Sequence, residues 1–190
     1  MAVPDDNPRS DEDLIDGLRR GEADCGSALT RRYWPAIQRF CQSYLEDAAL
    51  AEDVTQETFA KLTGGENLPT GAVKPWLYKV ARNRCLDILR RHQRSPTHHH
   101  RIRTGFDAAK DTAGPQTRAA REERRELIRR IIADMPEEYR SVLTLKHYED
   151  FSRAEMAEAL GVSEATVKGR LVRASEHLRQ ELLKITKMNP

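Results

Sequence analysis

A stretch near the C-terminus, residues 151–178, predicts two helices separated by a tight turn. Ser152 and Glu155 have the spacing of a capping box, in which two side chains satisfy N–H groups at the start of a helix. Gly161 can adopt the positive φ that ends this helix, and Ser163 can cap the next one. A chain with this stretch is therefore expected to contain a helix-turn-helix.

The second of these helices has two distinct faces. One apolar stripe consists of Val167, Leu171, Ala174 and Leu178, at a spacing that predicts packing on the preceding helices. The opposite face has Ala165, Gly169, Val172, Arg173 and Glu176 at its centre, flanked by Thr166, Lys168 and Arg170. Small residues with flanking cations suit a helix in the major groove of DNA. The alternative is a surface hairpin of two helices whose charges are merely solvated. The short serine-capped turn argues against this alternative.

Composition favours two small helical domains. Of 190 residues, 38% are hydrophobic and 33% charged, which suits small units with much exposed surface. Only 6% are aromatic, and alternating β-branched runs are scarce, which argues against a sheet. We therefore predict an all-α fold.

Charge is segregated along the chain more strongly than the net value of +2 suggests. The first part is acidic, whereas residues 74–103 carry nine lysines and arginines against Asp87 as the one acidic residue. A local basic patch of this kind is typical of a surface that binds a polyanion. Nucleic acid is the leading candidate partner.

Two residue types bear on metals and redox chemistry. Cys25, Cys41 and Cys85 are odd in number and widely spaced, which indicates small core residues in a reducing compartment. The adjacent histidines 98–100 lack the spacing of a metal site, and we expect no metal and no cofactor. With no apolar run near the roughly 20 residues that span a bilayer and no leader pattern, we expect a cytoplasmic protein without membrane insertion.

Prolines, glycines and lost periodicity divide the chain into segments. We predict a disordered lead over 1–10, a helical domain over 11–94, a flexible linker over 95–117 and a second helical domain over 118–187. In the second domain, a charged helix over about 121–133 and a helix that begins at Pro136 form the platform for the helix-turn-helix.

The first domain is predicted to hold four helices. Ser10 and Asp13 resemble a capped start, and helices follow at about 25–45, 48–62 and 75–91, with a loop over 63–74. Pro35 interrupts the second helix, and Pro75 suits the first position of the fourth. The third helix carries a polar ridge that includes Asp53, Gln56 and Glu57, and such ridges are usually just solvated.

Two aromatic residues, Trp76 and Tyr78, lie among the basic residues of the fourth helix. This interleaving fits the stacking and phosphate contacts that proteins make with unpaired bases. The alternative is that both rings are core anchors, and for Trp76 the two interpretations remain open. Asp87 can pair with a basic residue one turn further on, which contributes only a few tenths of a kcal/mol.

Three motifs follow one another along the chain: Asp53-Val-Thr-Gln-Glu-Thr-Phe59, Trp76-Leu-Tyr-Lys-Val-Ala-Arg-Asn-Arg-Cys-Leu-Asp87, and Met135-Pro-Glu-Glu-Tyr-Arg-Ser-Val-Leu143, which runs into residues 157–171. In this order and separation the chain resembles the sigma-70 superfamily of bacterial RNA polymerase sigma factors. The resemblance is to its small extracytoplasmic-function (ECF) group, which keeps only domains two and four.

The resemblance implies a role for each motif, with core RNA polymerase (beta-prime and beta subunits), promoter DNA and an anti-sigma factor as partners. The residues implied in docking on the beta-prime subunit are Asp53, Gln56 and Glu57. The residues implied at the minus-10 element are Asn67 in the base-capturing loop and Lys79, Arg82, Asn83, Arg90 and Arg91 on the opened strand. The residues implied at the minus-35 element are Thr166, Lys168, Gly169, Arg170, Val172 and Arg173.

Two departures separate this chain from the family pattern. Gly169 stands where the family often has serine, which removes a hydroxyl donor, and Gly64 with Gly65 lengthens or loosens the base-capturing loop. Promoter sequence therefore cannot be copied from relatives.

The resulting hypothesis is a factor that binds core polymerase, reads both promoter elements and makes or breaks no bond. A stand-alone helix-turn-helix regulator is the alternative, but it leaves the polar ridge and the second motif unexplained. An enzyme is a weaker alternative, since the sequence has no phosphate loop, HExxH or nucleophile elbow.

Overall fold

A computed structural model describes residues 9–45, 47–65, 68–93, 127–128, 130–132, 134–147 and 149–188. Its helices are α1 (Asp11–Arg19), α2 (Ala23–Gln42), α3 (Ala48–Thr63), α4 (Val73–Gln93), α5 (Glu137–His147), α6 (Arg153–Leu160) and α7 (Glu164–Met188). Helical residues at 127–128 and 130–132 precede α5. No strand occurs in these ranges, and the all-α prediction is confirmed.

The chain divides into two compact units, Met1–His100 and Arg101–Pro190. Helices α1 to α4 belong to the first unit, and α5 to α7 belong to the second. The predicted lead, apart from Arg9 and Ser10, and the whole predicted linker lie outside the described residues.

The capping box predicted at the start of α1 is present. Ser10 Oγ accepts a hydrogen bond from the Asp13 N–H at 3.1 Å, and Asp13 Oδ2 accepts one from the Ser10 N–H at 3.3 Å. Gly17 lets α1 lie close to α2, because a Cβ at this position would collide with Cys25 Sγ. The capping box thus defines the start of α1, and the absence of a side chain at Gly17 lets α1 pack closely against α2.

The ends of α2 and α4 differ from the predicted ones. Helix α2 runs through Pro35 and ends at Gln42, three residues before the predicted end. Its backbone continues as a turn, with the Leu45 N–H bonded to the Cys41 carbonyl at 2.9 Å. Helix α4 begins at Val73 rather than Pro75, and Val73 is buried in the core. Pro75 then lies in the first turn, where its missing N–H would have no intrahelical partner.

Aromatic rings link α2 to α4 in the core of the first unit. The Phe40 ring centroid lies 5.1 Å from that of Tyr44 and 4.8 Å from that of Tyr78. Tyr78 is only 1% exposed, so its interpretation as a base-stacking residue is wrong and the core-anchor alternative is right. Trp76 is half-buried. The basic helix α4 therefore uses one of its two aromatic residues to hold its place in the fold.

The helix-turn-helix has the predicted caps. Ser152 Oγ accepts from the Glu155 N–H at 3.2 Å, while Glu155 Oε2 accepts from the Ser152 N–H at 2.8 Å. Gly161 ends α6 with φ of 66°, in the left-handed region that favours glycine. Ser163 Oγ then accepts from the Thr166 N–H at 3.1 Å and starts α7. These caps end α6 and start α7 on either side of the turn.

Ser152→Ala is expected to lower the free energy of unfolding of the second unit by about 1 kcal/mol, because it removes an N-cap. Both tryptophans, Trp34 and Trp76, lie in the first unit. Urea unfolding followed by circular dichroism should therefore shift, while the tryptophan fluorescence transition should not. Ser175→Ala, an exposed serine inside α7, is the control. Equal shifts for both variants would contradict a capping role.

Candidate functional site

The exposed side of α7 carries the cationic face expected from the periodicity. The residues of this face that are well exposed are Thr166, Lys168, Gly169, Val172 and Arg173. On the opposite side Val167 and Ala174 are fully buried, and Leu171 and Leu178 are half-buried. Val172 is 63% exposed, the highest exposed fraction among the large apolar side chains of the described residues. The helix thus presents a surface that its own unit does not cover.

Arg170 differs from the other cations of this face. Its side chain is only 23% exposed, and its Nη2 lies 4.0 Å from Oε2 of Glu138 in the first turn of α5. Glu138 and Arg170 line one open depression together with Ala165, Thr166, Gly169 and Arg173. Sequence reasoning missed Glu138, because the residue lies far from α7 in the chain.

Gly169 forms part of the floor of this depression. A Cβ placed there would meet no atom within 4 Å, so no close packing requires the glycine. Its effect is to leave the helix backbone uncovered on the exposed side. A flat molecular edge can therefore approach α7 more closely at Gly169 than at its neighbours.

The outward side of α4 is basic. Lys79, Asn83, Arg90 and Arg91 are exposed, and Arg82 is half-buried. Arg90 Nη1 lies 3.3 Å from Asp87 Oδ1, which confirms the predicted pairing one turn apart. The same helix buries Leu77, Tyr78, Ala81 and Cys85 on its other side. Core packing thus fixes the direction in which the cations point.

The loop between α3 and α4 is anchored to α1. Arg19 Nη2 donates to the Pro69 carbonyl oxygen at 2.5 Å, and Arg19 Nη1 lies 2.6 Å from Asp16 Oδ1. Pro69 is buried, and Gly65 has φ of 74°. Asn67, the loop residue singled out in the sequence, lies outside the described residues. Sequence reasoning did not find Arg19, which is 50 positions away from its acceptor.

The polar ridge of α3 is exposed at Asp53, Gln56 and Glu57. The Glu57 carboxylate is held by Arg84 of α4 through both oxygens, at 2.6 Å from Nε and 3.0 Å from Nη2. These hydrogen bonds from Arg84 lower the pKa of Glu57 below its usual value. Glu57 is therefore charged and held by Arg84, whereas the Asp53 carboxylate makes no hydrogen bond or ion pair within the described part of the chain.

Both halves of the chain match known sequence families. The family described as Sigma-70 region 2 matches residues 29–95, and the one described as Sigma-70, region 4 matches residues 125–178. The ECF RNA polymerase sigma factor SigM of Bacillus subtilis (strain 168) is 31% identical over 152 residues, which cover 80% of this chain and 91% of that protein. The chain belongs to the ECF RNA polymerase sigma factors. Its function is accordingly that of a sigma factor in transcription initiation, as the resemblance of its motifs implied.

Other relatives of this ECF sigma factor agree in name and in coverage. The ECF RNA polymerase sigma factor SigL of Mycobacterium tuberculosis (strain ATCC 25618 / H37Rv) is 31% identical over 175 residues, which cover 88% of this chain and 94% of that protein. The RNA polymerase sigma-H factor of Pseudomonas aeruginosa is 28% identical over 180 residues, with 90% and 93% covered. These three relatives thus match over more than nine tenths of their own lengths.

Two solved structures resemble this ECF sigma factor in fold. CnrH in complex with the cytosolic domain of CnrY gives a TM-score of 0.66 at 22% identity, covering 90% of this chain and 96% of that one. The sigma factor RpoE in complex with the anti-sigma factor NepR, from Bartonella quintana, gives 0.63 at 22% identity, covering 84% and 96%. At these identities the likeness supports the fold.

The thiols of this ECF sigma factor are core groups. Cys25, Cys41 and Cys85 are free and buried, as predicted. Burial raises the pKa of Cys25, and a hydrogen bond with Cys41 is the main cause that raises the pKa of Cys85. Raised pKa values keep thiols protonated and unreactive.

Metal ligands and membrane spans are not found in the described part of the chain. No group of three or more His, Cys, Asp or Glu side chains could hold a metal ion there. The histidines 98–100 lie outside that part. Among the described helices, none is long and apolar enough to cross a bilayer.

Proposed function

We propose that this ECF sigma factor binds core RNA polymerase and directs it to promoters by reading a minus-35 and a minus-10 element. The observation that carries the proposal is that regions 2 and 4 occur in one chain, in that order, each with an exposed cationic helix face. It works as a DNA-binding initiation factor that makes and breaks no bond itself. Its place of action is the cytoplasm, where core polymerase meets DNA.

The minus-35 element is read by α7. The contacting residues are Thr166, Lys168, Gly169, Arg170, Val172 and Arg173. The exposure of all of these residues except the half-buried Arg170 supports this role, as do the uncovered backbone at Gly169 and the buried opposite stripe, because a groove-binding helix needs one free face. Each bidentate contact from an arginine to guanine supplies about 1–3 kcal/mol of discrimination.

The minus-10 element is held by α4 and the loop before it. Asn67 belongs to the loop that captures a flipped base, and Lys79, Arg82, Asn83, Arg90 and Arg91 hold the opened strand. Base capture costs a few kcal/mol of unstacking, which backbone and pocket contacts must offset. The anchoring of the loop by Arg19 supports the proposal, since a preorganised loop loses less entropy on binding.

Core polymerase docks on the ridge of α3. Asp53, Gln56 and Glu57 present carboxylate and amide groups to the beta-prime subunit, and the beta subunit is the second polymerase partner. The bidentate hold of Arg84 on Glu57 leaves Asp53 as the ridge carboxylate best placed for a new partner. An exposed rim charge acts mainly on association and orientation.

The two DNA-contacting domains are proposed to span 11–94 and 118–187, with a lead over 1–10 and a flexible linker over 95–117. When both domains sit on one polymerase, the second DNA contact becomes effectively intramolecular. The free protein is therefore expected to bind promoter DNA poorly. An anti-sigma factor is a further proposed partner, supported by the similar structure of RpoE, which was solved in complex with the anti-sigma factor NepR.

Run-off transcription with purified core polymerase tests the proposal. A library of genomic fragments from the source bacterium should yield discrete transcripts only when the protein is added. The affinity of the protein alone for duplex promoter DNA should be at least about 100-fold weaker than that of the holoenzyme, because tethering makes the second DNA contact intramolecular. Absence of promoter-dependent transcripts, together with tight duplex binding by the free protein, would instead identify a stand-alone helix-turn-helix regulator.

A further inference from the structure

The depression on α7 contains an acidic residue at a surface expected to meet a polyanion. Among the described residues that line it, Glu138 alone is negatively charged, and Arg170 and Arg173 are the cations. A carboxylate near DNA phosphates is repelled by them, so its presence on a groove face opposes affinity. Glu138 therefore requires an explanation other than general DNA attraction.

Geometry leaves the Glu138 carboxylate able to accept further hydrogen bonds. Its side chain is 50% exposed, and Oε2 lies 4.0 Å from Arg170 Nη2, beyond hydrogen-bond range. Because Glu138 is in the first turn of α5, the positive end of the helix dipole stabilises the charge there. The Glu138 carboxylate therefore lies beside the exposed face of α7 and makes no hydrogen bond with Arg170.

The major groove offers two amino donors to such an acceptor, N4 of cytosine and N6 of adenine. Adenine also presents its N7 acceptor, which repels a carboxylate, and guanine and thymine present acceptors as well, so cytosine suits the carboxylate best. Arginine, in contrast, donates to the O6 and N7 atoms of guanine. Glu138 and Arg170 therefore form an acceptor and a donor side by side, a combination complementary to cytosine next to guanine.

We infer that Glu138 is a specificity-determining residue of the minus-35 site, which accepts a hydrogen bond from the N4 amino group of a cytosine next to the base contacted by Arg170. This inference rests on the proposed reading of the minus-35 element by α7. It adds a residue from a second helix to the readout, since α5 rather than α7 supplies the acceptor. Gly169 assists, because the uncovered backbone lets the base edge come within reach of α5.

The test uses holoenzymes and promoters with a randomised minus-35 element, with transcripts sequenced to obtain base preference at each position. The wild-type protein should prefer cytosine at one position by about 10-fold, the value of one hydrogen bond to a charged group. Glu138→Gln should abolish this preference at that position alone and admit adenine, because the amide both donates and accepts. Glu181→Gln, on α7 outside the depression, should select the same element as wild type.

The outcomes that would contradict the inference are distinct from those that would contradict the proposed function. Unchanged selection by Glu138→Gln, or an equal loss of transcription on all sequences, would overturn it and leave the proposed function standing. An equal loss would mean that Glu138 either orients Arg170 or stabilises the fold. Circular dichroism of the variant would distinguish the two roles, because only the second one changes the unfolding transition. If the wild-type holoenzyme selects no minus-35 element at all, the proposed function fails and the inference fails with it.

Discussion

Arg173→Ala is expected to reduce transcription from a promoter with both elements by about 10- to 100-fold, which corresponds to one lost bidentate guanine contact of about 1–3 kcal/mol. The guanidinium is exposed at the edge of the depression on α7, so truncation removes a DNA contact without removing core packing. Run-off transcription on two templates, one with both elements and one with the minus-10 element alone, measures the effect.

The second template and a control variant make this result specific. Transcription from the template without a minus-35 element should not change on Arg173→Ala. Arg179→Ala removes the same side chain two turns further along α7, where Arg179 pairs with Glu176 on an exposed surface. It should behave as wild type on both templates. Equal losses on both templates for Arg173→Ala would contradict its assignment to the minus-35 element.

Asp53→Ala is expected to weaken binding to core polymerase by about 5- to 30-fold, equivalent to about 1–2 kcal/mol for the loss of an interfacial charge. The defect should appear on every promoter, because it precedes DNA recognition. Fluorescence anisotropy of the labelled protein titrated with core enzyme measures the affinity directly. The affinity of the Asp53→Ala variant should also depend less on salt concentration than that of the wild type, since ions screen the charge contact that the variant lacks.

Asp24→Ala is the matched control for this variant, because it removes an exposed carboxylate in the first turn of α2. Core affinity should stay at the wild-type value. The Asp53→Ala defect could instead be confined to promoters that carry a minus-35 element, as is expected for Arg173→Ala. In that case the assignment of polymerase docking to α3 would be wrong.

The predictions that held rest on interactions between residues close together in the chain. In each capping box the two partners are three positions apart, so Ser10 with Asp13 and Ser152 with Glu155 could be paired from the sequence. The positive φ at Gly161 follows from the residue type and its place after an apolar run. The buried and exposed sides of α7 follow from helical periodicity.

The features that the sequence did not predict depend on pairs that only the fold brings together. Glu57 and Arg84 are 27 positions apart, and both had been assigned by residue type to surfaces rather than to each other. Arg19 meets Pro69 across 50 positions. The burial of Tyr78 was undecided because a tyrosine suits both a core and a stacking surface, and only its contact with Phe40 resolves the choice.

Helices α4 and α7 each have a buried side and an exposed side, so the residues needed for folding differ from those proposed to read the promoter. The residues that hold α7 in place, Val167 and Ala174, are not those that face outward, such as Lys168 and Arg173. Substitutions on the outer side can therefore accumulate with little effect on folding. A gene duplicate of this factor could acquire a new set of target genes by drift at a few outer positions, and an engineer could retarget it in the same way.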